Sequence, residues 1–350
     1  MGGGRFALGA ASALSRAGGA AIGGTDSMDR IAILATCCLA LAAAVRAESR
    51  DCMADTWAAT DALGRSVATA ETAGPPRQGK YVGVFYFLWL GEHGQSGPHD
   101  ITRILSEHPD AMSRPTSPPW GPYGAYHHWG EPLFGYYVSD DRWVLRKHAQ
   151  MLSDAGVDVV IFDVTNHFTY PKSYLAQCET WEQVRRDGGA TPQIAFLCPF
   201  WDPARVVRQL HDEFYGKNLH SDLWFAWKGR PLIMADPDKV NDDLKDFFTY
   251  RKPQPSYFEG PTGPNQWGWL EVHPQHVFRN SLGDPEQMVV GVGQNARQGM
   301  CSAFSEADTC GRSWHGGRRD ERPGAVELGL NFAEQWRRAL EVDPEFIFVT

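Results

Sequence analysis

The chain has 350 residues, of which 43% are hydrophobic and 12% aromatic, and its formal net charge is −9. This length suits one large α/β domain, since an α/β barrel takes roughly 250 residues. The acidic balance, with no basic run beyond Arg318-Arg319 and its neighbours, argues against a nucleic-acid partner. Without a Gly-rich phosphate loop, a Ser nucleophile elbow or a His pair at helical spacing, the sequence predicts no cofactor and no metal.

The first 47 residues are expected to lie outside the fold. Residues 31–45 form an apolar run that follows Met28 and leads into Val45-Arg46-Ala47, where small residues occupy the positions that signal peptidase reads. We interpret residues 28–47 as a secretory signal peptide and the Gly- and Ala-rich residues before Met28 as a spurious extension. We therefore expect a secreted or periplasmic protein with no stable membrane insertion after signal removal, a retained anchor being the alternative.

The remaining chain alternates predicted strands and helices. Residues 48–80 are small and polar and form a lead segment, while residues 81–350 form the domain. Apolar runs predict strands at 81–90, 157–166, 192–198, 287–294 and 345–350, and a hairpin joins 223–227 to 231–234. Apolar residues at helical spacing predict helices at 140–156, 170–186, 203–215, 238–248 and 325–340. Strands that are apolar on both faces and alternate with helices are typical of parallel sheets.

The number of strands indicates the fold class. With the short apolar stretch at 263–275 there are about eight strand candidates, the number of a (β/α)8 TIM barrel. The chain ends on the apolar strand 345–350, so we expect a barrel truncated after its last strand. The pattern specifies no oligomeric state.

Several segments resemble secreted glycoside hydrolases of the families 71 and 99-like (β/α)8 group. They are GVFYFLWLGEHG, YHHWGEPLFGYY, DAGVDVVIFDVTN, WGWLEVHPQ and the terminal EFIFVT, and the resemblance covers most of residues 55–350. It implies a (β/α)8 barrel that cleaves glycosidic bonds in a carbohydrate substrate, either a polysaccharide or a glycan. In that group a Gly-Trp-Asn-Glu-Trp segment typically follows the last strand, at a point where this sequence has already ended.

Two carboxyl groups are the candidate catalytic residues. Glycoside hydrolysis generally needs one carboxyl to protonate the leaving oxygen and another to attack the sugar or activate water. Asp163 ends the apolar run 157–166, and active sites of α/β barrels lie at the carboxyl ends of strands. Glu271 lies between Leu270 and Val272, where burial would raise its pKa as a general acid requires. We expect Asp163 as nucleophile or stabiliser and Glu271 as acid/base; a structural Asp that bonds a loop backbone is the alternative for Asp163.

Further residues are candidates for substrate binding. Aromatic rings that could stack on sugars are Tyr86, Trp89, Trp129, Trp201, Trp267 and Trp269, with core packing as the alternative for about half of them. Polar candidates are His127, His128, Glu131, Asn166, Asp236, His273, Gln294 and Asn295. Asp236 precedes Pro237, so capping the following helix is the favoured alternative for it. His127, His128, Trp129 and Glu131 lie in the long loop after the first strand, which they could simply anchor.

The sequence is also compatible with two other classes of protein. The sequence lacks the His-Ile-Glu-Pro-Tyr type run of family 99, which favours a non-catalytic carbohydrate-binding barrel as the alternative. A metal-dependent hydrolase that uses His127, His128 and Asp163 is a third hypothesis. Cys301 and Cys310 flank one loop and could form a disulfide, while Cys52 either pairs with Cys178 or stays free.

Overall fold

Eight parallel strands follow one another around a sheet in the order of the sequence. The computed structural model describes residues 60, 64–66, 69–91, 99–114, 119–122, 125–128, 132–255, 259–293, 296–297, 300–301 and 312–350, all within the unit Asp51–Thr350. The strands are β1 (Tyr81–Tyr86), β2 (Val159–Asp163), β3 (Gln193–Leu197), β4 (Arg230–Met234), β5 (Thr249–Gln254), β6 (Gln266–Gly268), β7 (Pro285–Val290) and β8 (Phe346–Val349). Parallel pairing runs from β1 to β6 without interruption, and β7 pairs with β8, which returns to β1. The fold is a nearly closed (β/α)8 barrel, as the sequence predicts.

Among the described residues, β6 and β7 are not joined by backbone hydrogen bonds. The side chain of one glutamine connects them instead. Gln287 on β7 accepts a hydrogen bond from the Gly268 amide at 3.1 Å and donates its own amide to the Gly268 carbonyl at 2.9 Å. Gly268 leaves no room for a side chain, because a Cβ there would lie 2.6 Å from the Phe278 ring. The Gln287 carboxamide therefore takes the place of a strand-to-strand pair between β6 and β7.

Replacing Gln287 by Met should destabilise the barrel at this seam. The apolar side chain fills the space but leaves the buried amide and carbonyl of Gly268 without partners, which costs roughly 1–3 kcal/mol for a buried polar group. Urea denaturation followed by tryptophan fluorescence measures the loss. The matched variant Gln150→Met, at an exposed position of a helix, should unfold like the wild type. Equal stability of the two variants would show that the seam is held by other contacts.

The helices cover the outside of the barrel unevenly. They are α1 (Ile101–Glu107), α2 (Arg142–Asp154), α3 (Pro171–Arg186), α4 (Ala204–Leu210, continued as a π-helix over His211–Tyr215) and α5 (Leu330–Val342), with a single helical turn at Ala70–Ala73. Turns of 3-10 helix occupy Ala111–Ser113, Ser221–Leu223, Pro237–Lys239, Asp242–Leu244 and Ala325–Leu328. Two-residue strands lie at His99–Asp100, His127–His128, Ala226–Trp227, Phe278–Arg279, Ala296–Arg297, Met300–Cys301, Trp314–His315 and Arg318–Arg319. None of these described helices is long and apolar enough to cross a membrane.

Alternation along the strands produces two separate cores. On β2, Val159 and Ile161 point into the barrel, where they join Phe346 and Phe348 of β8. Val160 and Phe162 of the same strand point outward into the layer of α2–α4. Because successive side chains of a strand face opposite sides, Asp163 shares the inward direction of Val159 and Ile161. The apolar run that predicted β2 is thus explained by burial on both faces, and the strand delivers Asp163 to the barrel mouth.

β5 escaped prediction because its inward position carries a charge. Arg251 lies inside the barrel and donates from Nε to Glu286 at 2.9 Å, and the indole N–H of Trp227 reaches the same carboxylate at 2.9 Å. Arg251 and Glu286 are almost fully buried. Burial alone would raise the pKa of Glu286, but the bonds and charge of Arg251 outweigh it and hold that pKa below its ordinary value. A buried ion pair thus replaces the apolar contacts that usually identify a barrel strand.

Two of the predicted helices differ in the structure. The helix expected at 238–248 is wrong: only the 3-10 turns Pro237–Lys239 and Asp242–Leu244 form, with Val240 extended between them. Asp236 caps the first turn and Asn241 starts the second, roles these residues favour over helix interiors. The helix expected at 325–340 is divided at Gly329, which has a left-handed φ of 61°. The hairpin that precedes β4 is confirmed, with Ala226–Trp227 antiparallel to Arg230–Met234.

The cysteines are resolved only in part. Cys178 and Cys198 are buried free thiols, so Cys178 forms no bond with Cys52. Burial raises the pKa of both thiols, which keeps them protonated and unreactive. The predicted pair of Cys301 and Cys310 stays a prediction, since Cys310 lies outside the described residues.

Candidate active site

Three aromatic side chains lie together at the carboxyl ends of the strands. Trp269 follows β6 directly, and its ring lies 5.9 Å from Phe85 of β1 and 5.6 Å from Phe200 after β3. β1 and β3 are the two strands that flank β2. The segment after β6 therefore reaches across the mouth to the neighbours of the strand that ends in Asp163.

Asp163 is held through one of its two oxygens. Its Oδ1 accepts hydrogen bonds from the Thr165 amide at 3.0 Å and the Thr165 hydroxyl at 2.7 Å. Burial raises the pKa of Asp163, and these two bonds oppose that rise. Within the described part of the chain, no donor bonds Oδ2. The carboxylate is thus fixed in orientation, as in the structural alternative, while Oδ2 keeps its bonding capacity for a ligand.

Glu271 follows β6 by three residues and is 1% exposed. Its Oε2 accepts hydrogen bonds from His276, at 2.8 Å from the ring Nδ1 and 3.2 Å from the amide. Oε1 is buried, and no described residue bonds it. Burial raises the pKa of Glu271, while the bonds and charge of His276 pull it down. Like Asp163, Glu271 is a desolvated carboxyl with one anchored and one unbonded oxygen.

The two tryptophans of the segment after β5 have different positions. Trp269 is half-buried at the mouth, beside the interior core. Trp267 is completely buried deeper in the barrel, 4.4 Å from the Phe346 ring, and its indole donates to Glu286 at 3.3 Å. Trp267 is therefore a core residue, and the sugar-stacking role expected for it does not fit its burial.

Tyr86 and Trp89 lie on the outer side of β1. The Tyr86 hydroxyl bonds His148 Nδ1 at 2.7 Å, and both residues line a cavity of about 210 Å³ between β1 and α2. Trp89 packs against the outer core and lies 5.2 Å from the Phe87 ring. Neither Asp163 nor Glu271 lines that cavity. The structure therefore places Tyr86 away from the predicted carboxyl pair.

The side chains of Asp236 and Asn166 are engaged locally. Asp236 is 1% exposed; it accepts from the Asp238 amide at 3.1 Å and pairs with Lys252 at 2.8 Å. Asp236 therefore caps the turn that follows it, which is the alternative that the sequence favours. Asn166 donates to the Tyr170 hydroxyl and accepts from the Phe168 amide at 3.3 Å. Asn166 thus shapes the loop that follows β2.

The histidines are mostly held by their own loops. His127 bonds the Trp120 carbonyl at 2.8 Å, and His128 stacks on Tyr136 with 4.6 Å between ring centroids. Burial lowers the pKa of His128. His273 precedes a cis proline and lies 3.2 Å from the Gln275 amide oxygen. These contacts agree with the anchoring alternative for the loop histidines.

Of the other predicted residues, one is exposed to solvent and four lie outside the part of the chain that the structure describes. Trp201 is 71% exposed on the loop after β3. Trp129, Glu131, Gln294 and Asn295 lie outside the described residues. The hypothesis of a metal site at His127, His128 and Asp163 finds no support, since no group of three or more potential ligands lies close together among the described residues.

Three residues of the mouth were not anticipated from the sequence. Phe85 and Phe200 wall the mouth, and His276 anchors Glu271. Phe85 carries a signal, because it alternates with Gly83 and Tyr81 on the inward side of β1. The contact of His276 with Glu271 depends on the conformation of the loop after β6, which the spacing of residues in the sequence does not predict.

Comparison with known proteins gives matches among solved structures alone. No protein-family model and no curated protein matches the sequence. A family 99 glycoside hydrolase, an endo-α-mannosidase from Bacteroides thetaiotaomicron in complex with bis-tris-propane, aligns with a TM-score of 0.46 and 16% identity over 77% of this chain and 82% of that chain. A second endo-α-mannosidase structure from the same organism aligns with a TM-score of 0.46 and 15% identity, over 77% of this chain and 84% of that one.

Proposed function

We propose that this protein is a glycoside hydrolase that cleaves a polysaccharide or glycan with Asp163 and Glu271 as its carboxyl pair. The observation that supports the proposal is that Asp163 ends β2 and Glu271 closely follows β6, and that each is a desolvated carboxyl with one oxygen anchored and the other unbonded among the described residues. Trp269, Phe85 and Phe200 supply aromatic surface at the carboxyl ends of the strands. Barrel mouths of this kind are where such enzymes keep their chemistry.

The two carboxyls suit different steps. Asp163 is fixed through Oδ1, so Oδ2 is the atom that would attack or stabilise the sugar carbon. Glu271 is the less exposed of the two, and burial raises its pKa, which is the direction that a general acid requires.

Hydrolysis of a panel of neutral and acidic glycans by the wild-type chain tests the proposal. We expect reducing ends to appear with at least one glycan, and the pH dependence of kcat/KM to have two limbs. Because burial raises the pKa of both carboxyls, the limbs should lie above the ordinary values of Asp and Glu. No turnover with any glycan would count against the hydrolase.

Replacing His276 by Leu should move the alkaline limb of that profile to higher pH. His276 lowers the pKa of Glu271 through a side-chain bond and its charge, so its removal lets burial raise the pKa further. A general acid with a higher pKa stays protonated to a higher pH. The control His108→Leu, at an exposed position after α1, should leave the profile unchanged. A shift to lower pH, or none, would contradict the assignment of Glu271 as the acid.

The burial of Glu271 favours a second candidate, a carbohydrate-binding barrel without catalysis. At 1% exposure and with His276 on one oxygen, the carboxyl has the contacts of a residue that holds the loop after β6. In that case glycans would bind without being cleaved, and Trp269→Ala would weaken the binding. Turnover that depends on Glu271 excludes this candidate.

We also propose that the protein is secreted after removal of residues 28–47. The support is the apolar run and the small residues at 45 and 47. The mature chain should begin at Glu48, which intact-mass measurement of protein recovered from the medium would show. Recovery of a cell-associated chain that still contains Met28 would contradict the signal peptide.

A further inference from the structure

A second cavity, of about 400 Å³, lies beside the barrel mouth and is distinct from the carboxyl pair. The loop after β2 contributes His167, Phe168 and Tyr170, and α4 contributes Arg205 and Gln209. Because β2 and β3 both end at the mouth, the elements that follow them place this cavity on the same side of the barrel. A glycan that runs out of the mouth over β2 and β3 would meet it.

The walls of this cavity are fixed before any ligand arrives. Asn166 bonds both the Tyr170 hydroxyl and the Phe168 amide, and Arg205 Nη2 donates to the His167 carbonyl at 2.9 Å. His167 and Tyr170 have left-handed φ values of 70° and 53°, a conformation that non-glycine residues rarely adopt. Strained residues of this kind persist where surrounding contacts hold them, often at ligand sites. The loop is therefore a preformed surface.

The charge of Arg205 is not neutralised. The side chain is exposed, and its bond to a carbonyl leaves the rest of the guanidinium without an acceptor among the described residues. Asp202, the carboxylate on the same loop, forms no ion pair with it within the described chain. One turn later, Arg208 pairs with both Asp212 and Asp243. An unpaired guanidinium in a cavity of a protein with net charge −9 is a site for one anionic group.

Two exposed aromatic rings lie on the loops that lead to this cavity. Phe168 lines the cavity and is 61% exposed, and Trp201, on the loop that leads to Arg205, is 71% exposed. An exposed ring offers a flat apolar face to the C–H groups of a sugar, while a guanidinium bonds a carboxylate or sulfate through two parallel N–H groups. The Phe168 ring could therefore contact the apolar face of an acidic monosaccharide while the Arg205 guanidinium binds its anionic substituent.

We propose that this cavity binds an anionic sugar unit, a uronate or a sulfated sugar, of a glycan that extends from the mouth. The proposal rests on the proposed glycoside hydrolase and deepens it, because it names acidic glycans as the substrate class. Arg205 binds the anionic substituent and Phe168 stacks on the ring that carries it. The unit that binds here is held away from Asp163 and Glu271, so it selects the glycan without taking part in bond cleavage.

Calorimetric titration of the full chain with three oligosaccharides of matched length tests this assignment. The probes are an oligogalacturonide, a sulfated galactan oligomer and a neutral galactan oligomer. We expect at least one acidic probe to bind about tenfold more tightly than the neutral one. A tenfold change in Kd corresponds to roughly the free energy of one hydrogen bond to a charged group. The preferred probe decides between carboxylate and sulfate. Arg205→Gln should reduce the preference to within about twofold, and Arg205→Lys should leave it intermediate because the fork is lost.

Two further variants control the experiment. Arg146→Gln removes an exposed arginine of α2 that pairs with Asp187, so it should bind all three probes as the wild type does. Phe168→Ala should weaken the acidic probes by about tenfold through lost stacking. Thermal melting of Arg205→Gln and Arg205→Lys verifies that both are folded.

The results separate this site from the proposed function. The site is overturned if the wild type shows no preference for either acidic probe, or if the preference survives Arg205→Gln. Hydrolysis of an acidic glycan at a rate that Arg205→Gln leaves unchanged would overturn the site and leave the hydrolase. Binding that depends on Arg205, without cleavage of any glycan, would leave the site and sink the hydrolase.

Discussion

Replacing Glu271 by Gln should reduce glycan hydrolysis by about 10²–10⁴-fold, the usual contribution of a positioned general acid. The amide keeps the size of the side chain and its contact with His276 but carries no proton for the leaving oxygen. Asp163→Asn should reduce hydrolysis to a similar extent, because an amide oxygen is a poor nucleophile and a poor partner for a developing positive charge. Initial rates of reducing-end formation measure both effects.

Folding and specificity controls accompany these two variants. Both should bind glycan with unchanged affinity, since kcat falls when a group acts only in the transition state. The matched carboxyl-to-amide change Asp246→Asn, at a side chain that is 98% exposed and pairs with Arg230, should leave kcat and KM unchanged. Wild-type turnover by Asp163→Asn or Glu271→Gln would remove that residue from the mechanism.

Breaking the ion pair inside the barrel should cause the largest loss of stability. Glu286→Leu leaves the Arg251 guanidinium buried without its carboxylate, and removing one partner of a buried pair typically costs about 3–5 kcal/mol. Trp227 and Trp267 also lose the acceptor for their indole N–H groups. Urea denaturation of wild type and variant gives the difference in the free energy of unfolding.

Two comparisons make the ion-pair prediction specific. The double variant Arg251→Met with Glu286→Leu should recover much of the loss, because the two charges leave together. The exposed pair Lys245–Asp242, 2.7 Å apart, is the control, and Lys245→Met should leave the midpoint of urea denaturation close to that of the wild type. Additive losses in the double variant would contradict a coupled pair.

The same pair gives a pH dependence of stability. The folded pKa of Glu286 is held below its ordinary value, so its contribution is present above the unfolded pKa and is lost as pH falls through the folded pKa. Wild type should therefore lose part of its stability in that acidic window, while the double variant lacks this component.

The barrel strands were predictable where their buried side chains are apolar, and they were not predictable where the buried side chains are polar or charged. β2 and β3 follow from runs that are buried on both faces. β5, with the sequence TYRKPQ, has no such run, because Arg251 finds its partner Glu286 on β7, 35 residues further along the chain. The hydrogen bonds between Gln287 and Gly268 were not predictable for the same reason, because nothing in the sequence links a glutamine in an apolar run to a particular glycine.

The depth of individual residues in the barrel was not predictable from the sequence. Asp163 ends β2 and Glu271 follows β6 by three residues, which are positions that the order of the strands gives. Trp267 and Trp269 have the same parity and similar neighbours in the sequence, yet one is fully buried on Phe346 and the other lies at the mouth. Alternation gives the side of the sheet that a residue faces, but the height along the barrel depends on where β6 begins.

The most direct test of the account is a crystal structure of the Asp163→Asn variant with a glycan bound. We predict a sugar ring against Trp269, with its scissile oxygen within hydrogen-bond distance of Glu271 Oε1 and its anomeric carbon facing residue 163. A glycan bound elsewhere, or one at the mouth with Glu271 still enclosed and bonded only to His276, would contradict the central claim that these two carboxyls act on one glycosidic bond.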